Sequence, residues 1–178
     1  MAGSQRDERA WIRGAQRGSV SDLEALFRYH WPRAYRAAYL VVHDSAGAED
    51  IAQEAFLAAI RTLDRFDRRR PFGPWLHRIV VNRAIDWSRA RALRRESGES
   101  ALGVVAAPSP ADNPHARTLA AALSELSPEH RAVIVLRHLL EYTPGEIAEV
   151  LGLPRGTVNS RLRRGLDELA ERLGEELK

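Results

Sequence analysis

The segment from residue 143 to residue 162 constrains the fold most, because it encodes two helices separated by a sharp turn. Residues 143–146, Thr-Pro-Gly-Glu, form a capping box with proline at the first helical position. The helix that they start is predicted to end at Leu151, since Gly152 can adopt the left-handed conformation that a tight turn requires. A second helix is predicted over residues 155 to about 173.

The spacing within this segment is typical of a helix-turn-helix. Ala148, Gly152 and Val158 supply the small residue, the turn glycine and the core aliphatic that two crossing helices need. The apolar side chains predicted to fill the inner surface are Ile147, Leu151, Leu153, Val158 and Leu162.

The other side chains of the second helix form a polar, arginine-rich surface, which predicts binding to duplex DNA. In this motif the N-terminal part of the second helix enters the major groove, where Arg can pair with guanine and Asn with adenine. Some of these residues are predicted to reach base edges and others to hold phosphates. The base-edge candidates are Arg155, Thr157, Asn159 and Ser160, and the phosphate candidates are Arg161, Arg163 and Arg164.

Helical periodicity covers most of the chain, and no run shows the alternation that is typical of a strand. A stretch rich in Gly and Pro interrupts the periodicity. The sequence therefore predicts an all-α protein with two small helical domains, residues 8–95 and 116–176, joined by a flexible linker over residues 96–115. In the first domain, the predicted helices are 21–30, 32–42, 45–66 and 74–94, with Pro32 starting the second and a loop over residues 67–74.

The helix from residue 45 is predicted to bury one apolar face and to expose an acidic one. The exposed face carries Asp50, Gln53, Glu54 and the apolar Leu57. An exposed leucine within an acidic patch predicts a protein-docking surface, and a merely solvated face is the alternative.

Basic and aromatic residues are interleaved just beyond this helix. Residues 61–95 contain eleven arginines against three aspartates. Arginines can follow phosphates while aromatic rings stack on unpaired bases, so this pattern predicts contact with single-stranded nucleic acid. The candidates are Arg68, Arg69, Arg70, Phe72, Trp75, Arg78 and Asn82.

Some of these residues have a second interpretation. Core packing is the alternative for Phe72 and Trp75, and it is the preferred interpretation for Trp87. The outward face of the helix after the loop is predicted to include Ile85, whereas Arg83 falls within its apolar arc without an evident partner.

Composition excludes several classes of protein. The chain has no cysteine, which excludes disulfides and thiolate metal sites within it. No stretch approaches the roughly 20 apolar residues that span a bilayer, and the start is polar, unlike a secretory signal. The six histidines show no metal-ligand spacing, and no catalytic motif appears. We therefore expect a cytoplasmic protein that is not an enzyme, needs no cofactor and does not insert into membranes.

The segments of both halves resemble one family, the extracytoplasmic-function (ECF) sigma factors. Residues 48–56 (AEDIAQEAF) are similar to the polymerase-binding segment of this family, and residues 74–87 (PWLHRIVVNRAIDW) to the segment that melts and reads the minus-10 element. Residues 126–137, 146–152 and 156–162 resemble the reader of the minus-35 element. The three segments occur in the same order as in the family.

The resemblance implies partners and a mechanism. Asp50, Gln53, Glu54 and Leu57 would dock on the clamp helices of the polymerase beta-prime subunit, and the second domain would contact the beta flap. The loop at residues 67–73, with Asn82, would capture a base flipped from the opened minus-10 strand. The second domain would hold minus-35 duplex DNA. An anti-sigma factor is implied as a further partner.

One alternative is a stand-alone helix-turn-helix regulator that binds duplex operators, since many response regulators carry a similar C-terminal module. Such a regulator would need a receiver domain with a parallel sheet, and no strand pattern of that kind is found in the first domain.

Overall fold

The structure, a computed structural model, describes residues 2–96 and 114–176, and every regular element in these ranges is helical. The prediction of an all-α fold is therefore confirmed. No helix among the described residues combines the length and the apolar character needed to cross a membrane. The α-helices are α1 (Ala2–Ala15), α2 (Val20–Val42), α3 (Ser45–Thr62), α4 (Phe72–Glu96), α5 (Pro114–Ser124), α6 (Pro128–Ile134), α7 (Pro144–Leu151) and α8 (Arg155–Glu176).

The predicted break at Pro32 is wrong, because α2 is a single continuous helix. A proline inside a helix removes one backbone hydrogen bond. Packing on both sides of Pro32 offsets the loss of this hydrogen bond, since Leu26 before it and Ala34 after it are almost completely buried. The helix also begins before the predicted start at residue 21: Ser19 is its N-cap, and its hydroxyl accepts a hydrogen bond from the amide of Asp22.

The boundaries of α3 and α4 agree with prediction to within a few residues. Asp44 is the N-cap of α3, with a carboxylate oxygen accepting a hydrogen bond from the amide of Gly47 at 2.8 Å. The α-helix ends at Thr62, and a short 3₁₀ turn (Leu63–Arg65) continues it. α4 begins at Phe72, two residues earlier than expected, because a first turn has free amides and tolerates the following glycine and proline.

Gly47 allows α3 and α4 to approach closely. A Cβ atom on Gly47 would lie 2.6 Å from the indole ring of Trp87, so only glycine fits there without movement. Trp87 is half-buried against the core, as the packing interpretation predicts, and the guanidinium of Arg91 lies 4.9 Å from its ring centroid. The contact fixes the crossing of the two helices.

α4 is buried on more sides than its sequence pattern indicates. It packs on α2 and α3, and α6 and α7 cover a further part of it. Ile85 is consequently 7% exposed, so its predicted outward position is wrong. Arg83, which had no evident partner in the sequence, forms an ion pair with Glu54 of α3.

The predicted helix-turn-helix is confirmed as α7, a turn and α8, and α8 continues to Glu176. One feature has no sequence signal: α6 passes into a π-helical segment (Val135–Leu139). α6 and α8 approach closely at Gly165, where an added Cβ would lie 3.1 Å from atoms of His130 and Ile134.

The two predicted domains pack directly against each other. One buried apolar cluster runs through both, from Ile12 of α1 to Leu162 of α8. α4 contacts α6 and α7, and α2 contacts α5 and α6. Most of the predicted linker, residues 97–113, lies outside the described residues.

Two polar contacts cross this interface between the halves. The hydroxyl of Tyr142 forms a hydrogen bond with Nδ1 of His77 at 2.7 Å. The guanidinium of Arg89 pairs with the carboxylate of Glu129 at 2.7 Å. The first contact is largely shielded from water, because His77 is only 4% exposed.

Burial disfavours the charged form of the interface histidines. It lowers the pKa of His77 to about 3, and the nearby His30 and Arg33 add to this effect. It also lowers the pKa of His43 to about 4, with a contribution from Arg131. Both side chains are therefore neutral in the folded protein at neutral pH. At acid pH, protonation of either one lowers the free energy of unfolding.

We predict that acid weakens the folded state through His77. Since its pKa is lower in the folded than in the unfolded chain, stability is fully present above about pH 6.5 and is lost as the pH falls toward about 3. The loss from this residue by about pH 5 is on the order of 2 kcal/mol. Urea unfolding at several pH values measures it.

His77→Asn should reduce the slope of unfolding free energy against pH in this window. His138→Asn, at an exposed position, is the matched control and should leave the slope unchanged. Equal slopes for the wild type and His77→Asn would contradict the prediction.

Candidate functional site

The start of α8 is held in place by local hydrogen bonds. In the capping box, the amide of Thr143 donates to the Glu146 carboxylate at 2.7 Å, and the Glu146 amide donates to the Thr143 hydroxyl at 3.3 Å. Gly152 has φ 64° and ψ 36°, the left-handed conformation predicted for it, and its amide donates to the carbonyl of Ala148. The turn therefore fixes the angle at which α8 leaves α7.

The inner face of α8 is apolar and its outer face is basic, as predicted. Val158 is 0% exposed and packs in the same cluster as Ile147. Arg155, Asn159 and Arg163 follow one another at four-residue spacing, which places them along one exposed face of the helix. We call these three residues the α8 stripe.

The remaining candidates of α8 surround the stripe. Arg164 is exposed, whereas Thr157 and Ser160 are partly buried. Arg161 is also partly buried and lies within electrostatic range of Glu129, whose pKa is lowered by hydrogen bonding to Arg89 and by the charges of Arg89 and Arg161 against the opposing effect of burial. The structure thus exposes four of the α8 candidates, Arg155, Asn159, Arg163 and Arg164, and leaves Thr157, Ser160 and Arg161 partly buried.

The acidic face of α3 is exposed as expected. Asp50, Gln53, Glu54 and Leu57 all face solvent, and Leu57 is 51% exposed. Gln53 donates a hydrogen bond to Glu49 at 3.3 Å. The Glu54 side chain stays largely exposed although its carboxylate pairs with Arg83 of α4.

Sequence reasoning missed the apolar residues that flank this face. Ile60, three residues after Leu57, is 40% exposed. Phe27 of α2 is 39% exposed, and its ring packs on Phe56 of α3 at 4.7 Å between centroids. Only the pairing of α2 with α3 brings Phe27 close to α3, and that pairing has no local sequence signal.

The loop before α4 presents its three arginines to solvent. A carboxylate oxygen of Asp67 accepts from the amide of Arg69 at 2.9 Å, and the Asp67 carbonyl accepts from the amide of Arg70 at 2.9 Å. This compact turn directs Arg68, Arg69 and Arg70 outward, where all three are exposed.

The aromatic residues after the loop pack mainly in the core. Phe72 is 3% exposed and packs against Phe66, Trp75 and His30. A base cannot stack on a ring buried in this way, so the core-packing interpretation holds for Phe72 in this structure. Trp75 is partly buried against Phe66, with 4.7 Å between the ring centroids.

Two polar candidates continue this surface along α4. Arg78 is exposed, and Asn82, one turn later, is half-buried. Their spacing places them on the same side of the helix, beyond the arginine-rich loop.

Two family models match the two halves of the chain. The Sigma-70 region 2 model matches residues 26–94, and the Sigma-70 region 4 model matches residues 116–174. A stand-alone regulator is not favoured, because the first half matches region 2.

Curated relatives are similar over nearly the full chain. The RNA polymerase sigma factor CarQ of Myxococcus xanthus is 35% identical, over 89% of this chain and 92% of its own. The ECF RNA polymerase sigma factor SigW of Bacillus subtilis is 30% identical, over 91% of this chain and 94% of its own.

Solved structures share the fold. The sigma factor RpoE, in complex with the anti-sigma factor NepR from Bartonella quintana, has a TM-score of 0.71 and 24% identity, covering 87% of this chain and 98% of its own. CnrH, in complex with the cytosolic domain of CnrY, has a TM-score of 0.69 and 30% identity, covering 95% of this chain and 98% of its own. The chain therefore belongs to the ECF family of sigma factors, the non-enzymatic subunits that direct RNA polymerase to promoters.

Proposed function

We propose that three separate surfaces of this sigma factor divide the work of promoter recognition. The α8 stripe and its neighbours read minus-35 duplex DNA, the loop before α4 and its continuation on α4 read the opened minus-10 strand, and the acidic face of α3 docks on polymerase. The observation that carries the proposal is the exposed α8 stripe, on a helix whose start is fixed by a capping box and a left-handed glycine.

At the minus-35 element, the first turns of α8 enter the major groove. Arg155 and Asn159 lie nearest the start of the helix and are free to form bidentate contacts with guanine and adenine. Thr157 and Ser160 stand beside them. Arg163 and Arg164 lie further along, where a recognition helix passes the DNA backbone, and they hold phosphates there. Arg161, which is partly buried, adds a further phosphate contact beside them.

At the minus-10 element, the exposed loop arginines follow the backbone of the melted strand. Arg68, Arg69 and Arg70 supply the charge, and Asn82 offers an amide to an unpaired base. Arg78 lies one turn before Asn82 and adds a phosphate contact. Trp75 is only partly buried and can contact a base, whereas Phe72 is buried and supports the loop from beneath.

Docking on polymerase uses the acidic face of α3. Asp50 and Glu54 attract a basic partner, Gln53 hydrogen-bonds, and Leu57 supplies the apolar contact at the centre. The beta-prime clamp helices are the proposed partner, and the beta flap is proposed for the second half. The protein acts where polymerase acts, in the cytoplasm.

An anti-sigma factor is the further proposed partner. A structural neighbour with this fold, RpoE, is in complex with the anti-sigma factor NepR. Because the two halves of this chain pack together, such a partner can bind both of them as one compact body.

The packed halves cannot occupy both promoter elements together. The two elements lie roughly 25 base pairs apart, or about 85 Å of B-form DNA. A compact body of this size is only about 40 Å across. The halves must therefore separate on the promoter, and residues 97–113 can span at most about 60 Å, which is enough to connect them.

The interface between the halves is suited to opening. It contains a cleft of about 390 Å³ that is partly open to solvent and is lined in part by His43, Ser88 and Arg131. Among the described residues, His43 Nε2, Ser88 Oγ and Arg131 Nε are buried there with no hydrogen-bond partner. Each such group costs about 1–3 kcal/mol when buried without a partner, so these three groups lower the stability of the packed state.

We predict that binding core polymerase moves the two halves apart. The natural chain lacks cysteine, so Arg28→Cys with Glu171→Cys allows two dyes to be placed on exposed sites of α2 and α8. Energy transfer between them should fall when core polymerase is added. A control pair within the first half, Arg28→Cys with Asp64→Cys, should not change. Unaltered transfer in the first pair would refute the separation.

We predict that charge reversal on α3 strongly weakens polymerase binding. Asp50→Lys with Glu54→Lys should weaken affinity for core polymerase by at least about 100-fold, since like charges replace an attractive pairing. Asp167→Lys with Glu171→Lys, the same change at the same spacing on exposed positions of α8, is the control. The proposal would be rejected if both double variants bound core polymerase as the wild type does.

We predict two different effects of mutations on α8. Arg163→Ala or Arg164→Ala should weaken binding of the holoenzyme to all promoters similarly, and should lower the slope of log affinity against log salt by roughly one unit. Arg155→Ala or Asn159→Ala should instead change the preferred minus-35 sequence, which selection from a promoter library measures. A uniform loss from the second pair would contradict its role at base edges.

A further inference from the structure

A cleft between α1 and the loop before α4 is lined by four arginines. Arg9 and Arg13 come from α1, and Arg68 and Arg69 come from the loop. The cleft has a volume of about 360 Å³ and opens to solvent, and all four side chains are exposed. We call this feature the arginine cleft. α1 lies outside residues 26–94, the part of the chain that matches the region 2 model.

Hydrogen bonds from a side chain of α1 to backbone carbonyls hold the two sides of the cleft together. The side-chain amide of Gln16 donates to the carbonyls of Leu63 and Phe66, at 2.9 and 3.1 Å. Ile12, one residue before Arg13, is 1% exposed and anchors α1 in the core. The positions of Arg9 and Arg13 opposite the loop are therefore set by the fold, despite the repulsion among the guanidinium groups.

The charge of the arginine cleft is not neutralised within the described part of the chain. None of the four guanidinium groups there forms an ion pair with a carboxylate. The nearest loop carboxylate, Asp67, uses one oxygen to accept from the amide of Arg69. Four convergent guanidinium groups suit an anion with several oxygens, and phosphate matches the planar fork of arginine in geometry.

We propose that the arginine cleft binds the phosphodiester backbone of single-stranded promoter DNA next to the minus-10 element. This inference rests on the proposed function of the loop, because Arg68 and Arg69 belong to both surfaces. It adds α1 to the DNA path and assigns Arg9 and Arg13 to phosphates. We favour a DNA strand over a free phosphate as the ligand, because two further exposed arginines, Arg70 and Arg78, follow those of the loop along the chain.

The test uses holoenzyme reconstituted with core polymerase and a promoter fork that carries an unpaired minus-10 strand. Arg9→Ala with Arg13→Ala removes two phosphate contacts, so affinity should fall roughly 25-fold at about 0.1 M salt, and the salt slope should decrease by about 1.4 units. Arg17→Ala with Arg28→Ala removes two exposed arginines that do not line the cleft, and should change affinity less than about twofold.

Two further measurements separate the possible outcomes. Arg9→Lys with Arg13→Lys keeps the charge and should retain the salt slope, which excludes misfolding as the cause of the alanine effect. The same fork without its unpaired strand, and so fully duplex, should bind the wild type and the alanine variant equally.

The inference fails if the alanine variant binds the fork as the control does. It also fails if inorganic phosphate binds the free chain through Arg9 and Arg13 while fork affinity is unchanged, because the cleft would then serve a small anion. Absence of fork binding by the wild-type holoenzyme would instead reject the proposed minus-10 function itself.

Discussion

The burial of α4 on several sides is the constraint on which the rest of the structure depends. This helix packs on α2 and α3, where Gly47 lets Trp87 approach, and it also receives α6 and α7. It carries Arg78 and Asn82 on its remaining surface. The same helix therefore carries residues of the proposed minus-10 surface and forms the contact that holds the halves together.

The elements predicted correctly from the sequence are those specified by local chemistry. A capping box, a glycine with left-handed geometry and an apolar stripe all lie within a few residues of one another in α7 and α8, and the structure has each in place. The acidic face of α3 could also be predicted from the sequence, because exposed and buried positions follow each other at helical spacing along this helix. In each case the determinants and the element they specify belong to the same short segment.

The errors arise where distant parts of the chain decide the outcome. Pro32 is accommodated within α2 because neighbouring helices bury both sides of it, and Ile85 is buried on a helix that is covered more widely than its own pattern indicates. Phe72 supports an aromatic cluster drawn from three elements. The position of α1, with its arginines beside the loop, depends on Gln16 reaching carbonyls about 50 residues away, which no local rule predicts.

The ion pair between Glu54 and Arg83 would link polymerase binding to DNA binding if Glu54 docks on polymerase as proposed. In the proposed docking, the Glu54 carboxylate would bind a cation of polymerase as well as Arg83, so occupation of Glu54 would release a positive charge on the helix that carries Asn82. Both side chains are partly exposed, and a pair of this kind contributes about 0.2–1 kcal/mol, or up to about a fivefold change in affinity. By reciprocity, a DNA strand that attracts Arg83 would raise the affinity for polymerase by the same factor.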